Sequence, residues 1–159
     1  MKIYSYPDQS NAYLAEHIDL LERSYFQLLG KSLLGKQREG ESLAEQLFYA
    51  PFVLLSHDIG ADPLFNYANK AALALFEIEW QQLIRTPSRL SAEPVNQEQR
   101  ERLLAQVSKS GFISNYQGIR ISQTGKRFRI KNAVVWNLFD RKGEYQGQAA
   151  CFSDWQLLD

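Results

Sequence analysis

Histidine and cysteine, two residue types that commonly carry catalysis or bind metals, are few in this 159-residue sequence. The chain has two histidines, His17 and His57, and one cysteine, Cys151. His57 could bind a metal or titrate near neutral pH. A histidine at a strand end is more commonly hydrogen-bonded to nearby backbone. His17 falls at the edge of a helical stripe and is interpreted as a boundary residue. This composition excludes a histidine-rich metal site and a zinc cluster of cysteines.

Cys151 lies in the last predicted strand, where no cation or helix N-terminus is expected to lower its pKa. It is therefore interpreted as an inert core residue. The sequence contains no convincing Ser-His-Asp or Cys-His-Asn spacing and no glycine-rich phosphate loop. We therefore predict no enzyme activity and no metal site, and the sequence identifies no cofactor.

The most informative polar group is Ser88, Arg89 and Glu93, in a segment too irregular for a helix. Arg89 could hold a carboxylate or phosphate through two parallel hydrogen bonds. Alternatively, it could form an internal salt bridge with Glu93. Both interpretations remain open at this point.

Three further polar residues fall on predicted strands. Asn132 alternates with apolar residues, and a buried amide without partners would cost about 1–3 kcal/mol. A ligand or the backbone of a helix end could supply those partners. Tyr116 and Arg120 share one strand face and could line a cavity, or Arg120 could face solvent.

Helices dominate the first two thirds of the chain. Leucine, isoleucine and tyrosine at helical spacing predict an amphipathic helix over residues 11–29, capped by Ser10 or Asn11 and ended by Gly30. A short apolar strand and a second strand follow at residues 52–56 and 64–67. The remaining predicted helices are Ser42 to Tyr49, Asn69 to Glu77, Trp80 to Ile84, and Asn96 to Ser110 with an Asn96–Gln99 capping box.

The rest of the chain reads as β-structure. We predict strands at residues 112–122, 127–139 and 145–155, joined by two short turns into an antiparallel meander. Simple alternation places Phe128, Ile130, Asn132, Val134 and Trp136 on one face. The fold class is therefore α+β, with short helices on one face of an antiparallel sheet.

Bulk composition excludes several classes. Lys+Arg 18 against Asp+Glu 18 gives no net charge, whereas nucleic-acid-binding domains normally show a basic excess. No apolar run reaches the ~20 residues of a membrane span. The polar start, residues 1–9, does not resemble a signal peptide. We expect one cytoplasmic domain that binds neither nucleic acid nor membrane.

Several motifs resemble the PAS arrangement of strands, short helices and meander. Those motifs are Tyr67-Ala68-Asn69-Lys70-Ala71-Ala72, Gly118-Ile119-Arg120 and Thr124-Gly125-Lys126-Arg127-Phe128. Ser56-His57-Asp58 and the specific string from Pro87 to Pro94 resemble the MEKHLA domain family, a PAS-like group. The resemblance covers nearly the whole chain. It implies an N-terminal helix and loop over residues 1–41 and a PAS-like domain over 42–159, within one globular unit.

The resemblance also implies sensing of a small molecule, redox state or light, without naming a ligand. Flavin photosensors of the LOV type carry an Asn-Cys-Arg motif that this chain lacks. Haem-binding PAS domains usually have a helical histidine, and residues 69–111 contain none. The residues expected at a ligand cavity are Phe76, Trp80, Ser88, Arg89, Tyr116, Arg120, Asn132 and Trp136.

Three functions therefore compete. The first is a non-catalytic sensory or regulatory domain that binds a small ligand and signals through a homodimer or a separate partner. The second is a ligand-free dimerisation module that uses the N-terminal helix. The third is a small cone-shaped α+β enzyme resembling ketosteroid isomerase, for which Asp154 is the only candidate pocket carboxylate.

Overall fold

The computed structural model describes residues 4–158, so the outermost ends of the two predicted divisions, residues 1–3 and 159, lie outside it. Within that range six strands form one antiparallel sheet. They are β1 (Val53–His57), β2 (Phe65–Ala68), β3 (Phe112–Ile121), β4 (Arg127–Phe139), β5 (Tyr145–Phe152) and β6 (Asp154–Leu157). The α-helices are α1 (Ala15–Leu29), α2 (Leu43–Phe48), α3 (Lys70–Phe76), α4 (Trp80–Leu83) and α5 (Pro94–Ser110). Two 3₁₀ segments cover Gln9–Leu14 and Ser88–Ser91.

The strands follow the order β2-β1-β5-β4-β3, and β6 pairs with the first part of β4. The predicted meander β3–β4–β5 is confirmed, since each strand pairs antiparallel with the next. Strand β1 closes the other side of β5 and joins β2 to the sheet. The α+β class predicted from the sequence is therefore confirmed.

Helices cover both faces of the sheet. We call the inner face the side that carries Leu55, Val135 and Phe152, and it lies beneath α3 and α5. The outer face lies beneath α1, where the Trp136 indole meets the Tyr25 ring edge-on at 4.8 Å between centroids. The N-terminal helix thus places its apolar stripe on the sheet of its own chain.

A β-bulge in β4 changes which residues face inward. Asn132 adopts φ 54, and the β3–β4 register shifts on either side of Tyr116. Asn132, expected at the ligand cavity, does not line it: its side chain is exposed and donates to the Asp154 carboxylate at 3.2 Å. Because the bulge adds one residue, Ala133 now lines the inner face and Trp136 the outer face.

Element ends also differ from the sequence prediction. Helix α1 begins at Ala15, because Ala12 to Leu14 adopt left-handed φ values of 53–57°. Asp8, in place of Ser10 or Asn11, caps the segment before it, accepting from the Ser10 amide at 2.8 Å. Gly30 ends α1 as predicted, with φ 74.

Two more boundaries were wrong. Helix α5 starts at Pro94 with Glu93 as N-cap, so the predicted Asn96–Gln99 capping box does not form. Proline at the first helical position explains the earlier start, because its fixed φ suits a helix and its missing N–H needs no partner there. The predicted strand over residues 145–155 is broken by a bend at Ser153, which lets β6 return along β4.

Gly147 holds β5 close to the end of β1, and we expect Gly147→Ala to destabilise the protein by about 2–3 kcal/mol. Its φ is +126, and an added β-carbon would overlap the carbonyl oxygen of His57. Gly143→Ala is the matched control: its φ is +81, but nothing lies within 4 Å. The control should cost only about 1 kcal/mol. Equal losses in urea unfolding of the two variants would contradict the close approach.

Candidate functional site

A cavity of about 70 Å³ lies between the inner face of the sheet and helices α3 and α5. One water molecule needs about 10–15 Å³ of cavity volume on the same measure, so this cavity is large enough for a few waters or a small organic molecule. We call it the inner cavity. Its apolar wall consists of Leu55, Phe65, Phe76, Leu104, Ile130, Ala133, Val135, Ala149, Ala150 and Phe152. Its polar wall consists of Ser56, His57, Ser91, Arg100, Tyr116, Arg120 and Gln148.

Tyr116 and Arg120 form one side of the polar wall. They lie four residues apart on β3, and Arg120 Nη2 donates to the Tyr116 hydroxyl at 2.6 Å. The guanidinium carbon also lies 5.5 Å from the Tyr116 ring centroid, a cation–π contact. A second donation runs from Nη1 to the Ile119 carbonyl at 2.8 Å. Both side chains are buried, so Arg120 does not face solvent.

Arg100 enters the cavity from α5. Its Nη2 donates to the Ser88 hydroxyl at 2.9 Å, and only 7% of the residue is exposed. Burial, and after it the charge of Arg120, lower the pKa of Arg100 to about 10. Both arginines line the same cavity.

His57 completes the polar wall at the end of β1. Its Nδ1 lies 2.9 Å from the Asp58 carbonyl oxygen, which can only accept, so Nδ1 carries the proton. Burial lowers the pKa of His57, and the positive charge of Arg100 adds to that lowering. The ring is therefore neutral at pH 7. Its buried Nε2 is an acceptor that receives no well-formed hydrogen bond from the described residues, although the Gln148 side chain is close enough to raise the pKa of His57 slightly against the effect of burial.

An open cleft of about 470 Å³ lies outside the inner cavity and shares His57, Arg100, Leu104 and Gln148 with it. We call this space the outer cleft. Ser88 and Arg89 line it. Arg89 pairs with Asp62 at 3.0 Å, and Glu93 pairs with Arg127 at 2.7 Å. The Arg89–Glu93 salt bridge considered from the sequence does not form, because each residue has a nearer partner.

The structure brings together only part of the predicted set. Phe76, Tyr116 and Arg120 line the inner cavity, while Ser88 supports it through Arg100. Trp80 lies away from it: its Nε1 donates to the Tyr4 carbonyl at 2.9 Å. Asn132 and Trp136 are excluded by the bulge in β4. The Trp136 Nε1 instead donates to the Leu21 carbonyl at 3.3 Å on the outer face.

Sequence reasoning missed Arg100. It precedes Leu103, Leu104 and Val107 by three, four and seven residues, which places it on the same side of α5. A charged residue within an apolar helical stripe is the signal that could have identified it.

The remaining reactive side chains serve the core. His17 is buried, and its Nε2 lies 2.9 Å from Ser56 Oγ, which in turn donates to Asn66 at 2.6 Å. The histidine therefore links α1 to β1 and lies deeper than the boundary position predicted for it. Burial raises the pKa of the Cys151 thiol to about 12, so a thiolate is disfavoured at neutral pH.

Residues 4–158 contain no group of three or more histidine, cysteine, aspartate or glutamate side chains placed to hold a metal ion. None of the helices described there is both long and apolar enough to cross a membrane.

Comparison with known proteins gives relatives in both sequence and structure. Homeobox-leucine zipper protein HOX10 of Oryza sativa subsp. indica is 27% identical over 143 residues, which cover 86% of this chain and 16% of the rice protein. This chain thus spans about a sixth of that relative's length.

Solved structures with a similar fold are PAS and LOV domains. The PAS domain of a protein from Colwellia psychrerythraea has a TM-score of 0.60 at 14% identity, covering 72% of this chain and 92% of its own. The dark structure of the blue-light photoreceptor Aureochrome1 LOV has a TM-score of 0.54 at 18% identity, covering 78% and 88%. At these identities the likeness shows the fold alone, and the predicted PAS arrangement is confirmed.

The family model of the MEKHLA domain matches residues 15–157. The match spans α1, the helical section and the whole sheet. The chain therefore belongs to the MEKHLA domain family and has a PAS-like fold.

Proposed function

We propose that this domain is a non-catalytic sensor that binds a small molecule in the inner cavity. The observation that carries the proposal is the cavity itself, which lies under α3 and α5 at the centre of the inner face. Protein interiors are normally close-packed, and an empty space of this size costs about 1–2 kcal/mol. A ligand that fills the cavity would offset that cost and stabilise the folded state.

Ala133 offers a direct test, because it lines the cavity and is almost fully buried. We expect Ala133→Leu to fill the space, to eject any co-purified small molecule and to change the free energy of unfolding by no more than about 1 kcal/mol. Native mass spectrometry of the purified protein measures the bound mass, and thermal unfolding measures stability.

Ala74→Leu is the matched control, since Ala74 is exposed on α3. The control protein should keep the bound mass. Retention of the same mass by Ala133→Leu would place the ligand elsewhere and contradict the proposal. Loss of the mass from both variants would contradict it as well.

Signal transmission through a second copy or a separate partner belongs to the same proposal, as does a cytoplasmic location. A bound ligand touches α5 through Arg100 and β1 through His57, so it can bias the elements that reach the surface. Homodimerisation stays a prediction, which analytical ultracentrifugation with and without ligand would check.

The two alternatives have less support. For a dimerisation module that uses α1, the helix would need a free apolar face, but its buried residues Ile18, Leu21 and Tyr25 already face the chain's own core. For a ketosteroid-isomerase-like enzyme, the candidate Asp154 would need a pocket. It is instead exposed and bonded by Asn132. No aspartate or glutamate of the described residues lines the inner cavity.

A further inference from the structure

Two arginines line the inner cavity without forming an ion pair with a described residue. Arg100 and Arg120 take part in none of the ion pairs within the described part of the chain. Their hydrogen-bond partners are the Ser88 hydroxyl, the Ile119 carbonyl and the Tyr116 hydroxyl, all uncharged. Buried charges in proteins are normally paired. Two unpaired guanidinium groups in one wall therefore mark a place for negative charge.

No protein group takes that place. Glu101, the neighbour of Arg100, lines the outer cleft, is exposed and forms no ion pair with it. Repulsion between the two arginines adds to the cost of burying them, and it lowers the pKa of Arg100. Arg100 nevertheless remains charged at pH 7, because its lowered pKa is still about 10. An anion between them would relieve the repulsion and accept hydrogen bonds from both forks.

The remainder of the wall determines what carries the anion. Aromatic and aliphatic side chains form most of the cavity surface, Phe76, Val135 and Phe152 among them. Such a surface favours an apolar body over a bare inorganic ion.

We infer that the ligand of the inner cavity is a small organic carboxylate with an apolar body, whose carboxylate Arg100 and Arg120 hold together. This inference rests on the proposed function, since it names the chemical class of the ligand bound there. The volume of about 70 Å³ limits the body to a few carbon atoms or one small ring.

Matched acids and amides test the charge requirement on the full chain. Butyrate and benzoate are titrated beside butyramide and benzamide, which keep the shape but lose the negative charge, and beside inorganic phosphate. Binding is followed by calorimetry and by the backbone NMR signals of Ala133 and Val135, which report occupancy of the cavity. We expect the acids to bind about tenfold or more tightly than their amides and than phosphate.

Charge-removing variants test the two arginines. Arg100→Met and Arg120→Met should each weaken acid binding about tenfold or more. Arg102→Met is the matched control on the same helix, because Arg102 is exposed, and it should bind like the parent. Without ligand, Arg100→Met should unfold at the same or a higher temperature, since it removes an unpaired buried charge. Arg100→Lys keeps the positive charge but loses the guanidinium that donates two parallel hydrogen bonds. It is the variant to use if Arg100→Met does not fold.

The outcomes separate the inference from the proposed function. If the amides shift the NMR signals of Ala133 and Val135 as strongly as the acids do, the requirement for a carboxylate is overturned. The cavity would still be a ligand-binding site. Tighter binding of phosphate than of the acids would overturn the apolar body. Acids that bind equally well to Arg100→Met, or that leave the cavity signals unchanged, would overturn the inference. The Ala133→Leu experiment then decides the proposed function separately.

Discussion

Replacing Asn69 with alanine is expected to lower the free energy of unfolding by about 4 kcal/mol, because four buried backbone groups lose their partner at once. Asn69 is fully buried between α2, β1 and α3. Its side-chain oxygen accepts from the amides of Leu54 and Ala72, both at 3.1 Å. Its amide nitrogen donates to the carbonyls of Leu47 and Phe52, at 3.0 and 2.8 Å. Urea unfolding monitored by tryptophan fluorescence measures the loss.

The same residue type at Asn96 provides the control. Asn69 caps α3, whereas Asn96 lies inside α5, and its side chain forms no hydrogen bond with another described residue. Alanine is a better helix former than asparagine by a few tenths of a kcal/mol, so Asn96→Ala should be neutral or slightly stabilising, within about 0.5 kcal/mol. A loss below about 1 kcal/mol for Asn69→Ala would contradict the four-bond arrangement.

The two asparagines show how far local sequence signals reach. The cap at Asn69 was predictable, because an apolar alanine- and leucine-rich helix follows a strand directly and the amide satisfies its first turn. Its bonds to α2 and β1 were not, because they depend on segments up to 22 residues away. At Asn96 the Pro94 start outweighed an apparent capping box, since proline at the first position removes one unsatisfied donor.

The strands show a similar limit. Their number and order in the meander followed from alternation and turn residues, and the β4 boundaries agree with the prediction. Alternation predicts the wrong inward-facing residues after Ile130, because the bulge at Asn132 reverses the alternation for the rest of the strand. An asparagine within a strand is a weak indication of such a bulge, since its side chain tolerates left-handed backbone.

The same limit explains which cavity residues were predictable. Phe76 lies on a helix, and Tyr116 and Arg120 share one face of a strand, so reasoning from each element alone placed them near the cavity. Arg100 and His57 required knowledge of how α5 and β1 meet across the sheet, which periodicity alone does not provide. The parts of the polar wall that are most informative about the ligand therefore came from the structure.

Trp136→Ala should lower the free energy of unfolding by about 4 kcal/mol, because the indole fills the space between β4 and α1. Trp136 is fully buried. It contacts the Tyr25 ring edge-on and donates to the Leu21 carbonyl. Truncation leaves a cavity under α1, so the amides of α1 should exchange hydrogen much faster. Hydrogen exchange by mass spectrometry and urea unfolding measure the two effects.

Trp155→Ala is the control for losing an indole, since Trp155 is only partly buried on β6 and meets Phe152 at 6.0 Å between ring centroids. Its truncation should cost about 1–2 kcal/mol and leave exchange in α1 unchanged.

The comparison also tests the proposed division at residue 41. If Trp136→Ala speeds hydrogen exchange in α1 while the amides of the sheet stay protected from exchange, residues 1–41 unfold separately from the sheet. If both unfold together, α1 belongs to the same cooperative unit as the sheet. We expect the second result, because α1 lies over the centre of the outer face, where β4 pairs with β5. A loss below about 1 kcal/mol with α1 fully protected would contradict the packing of the indole beneath the helix.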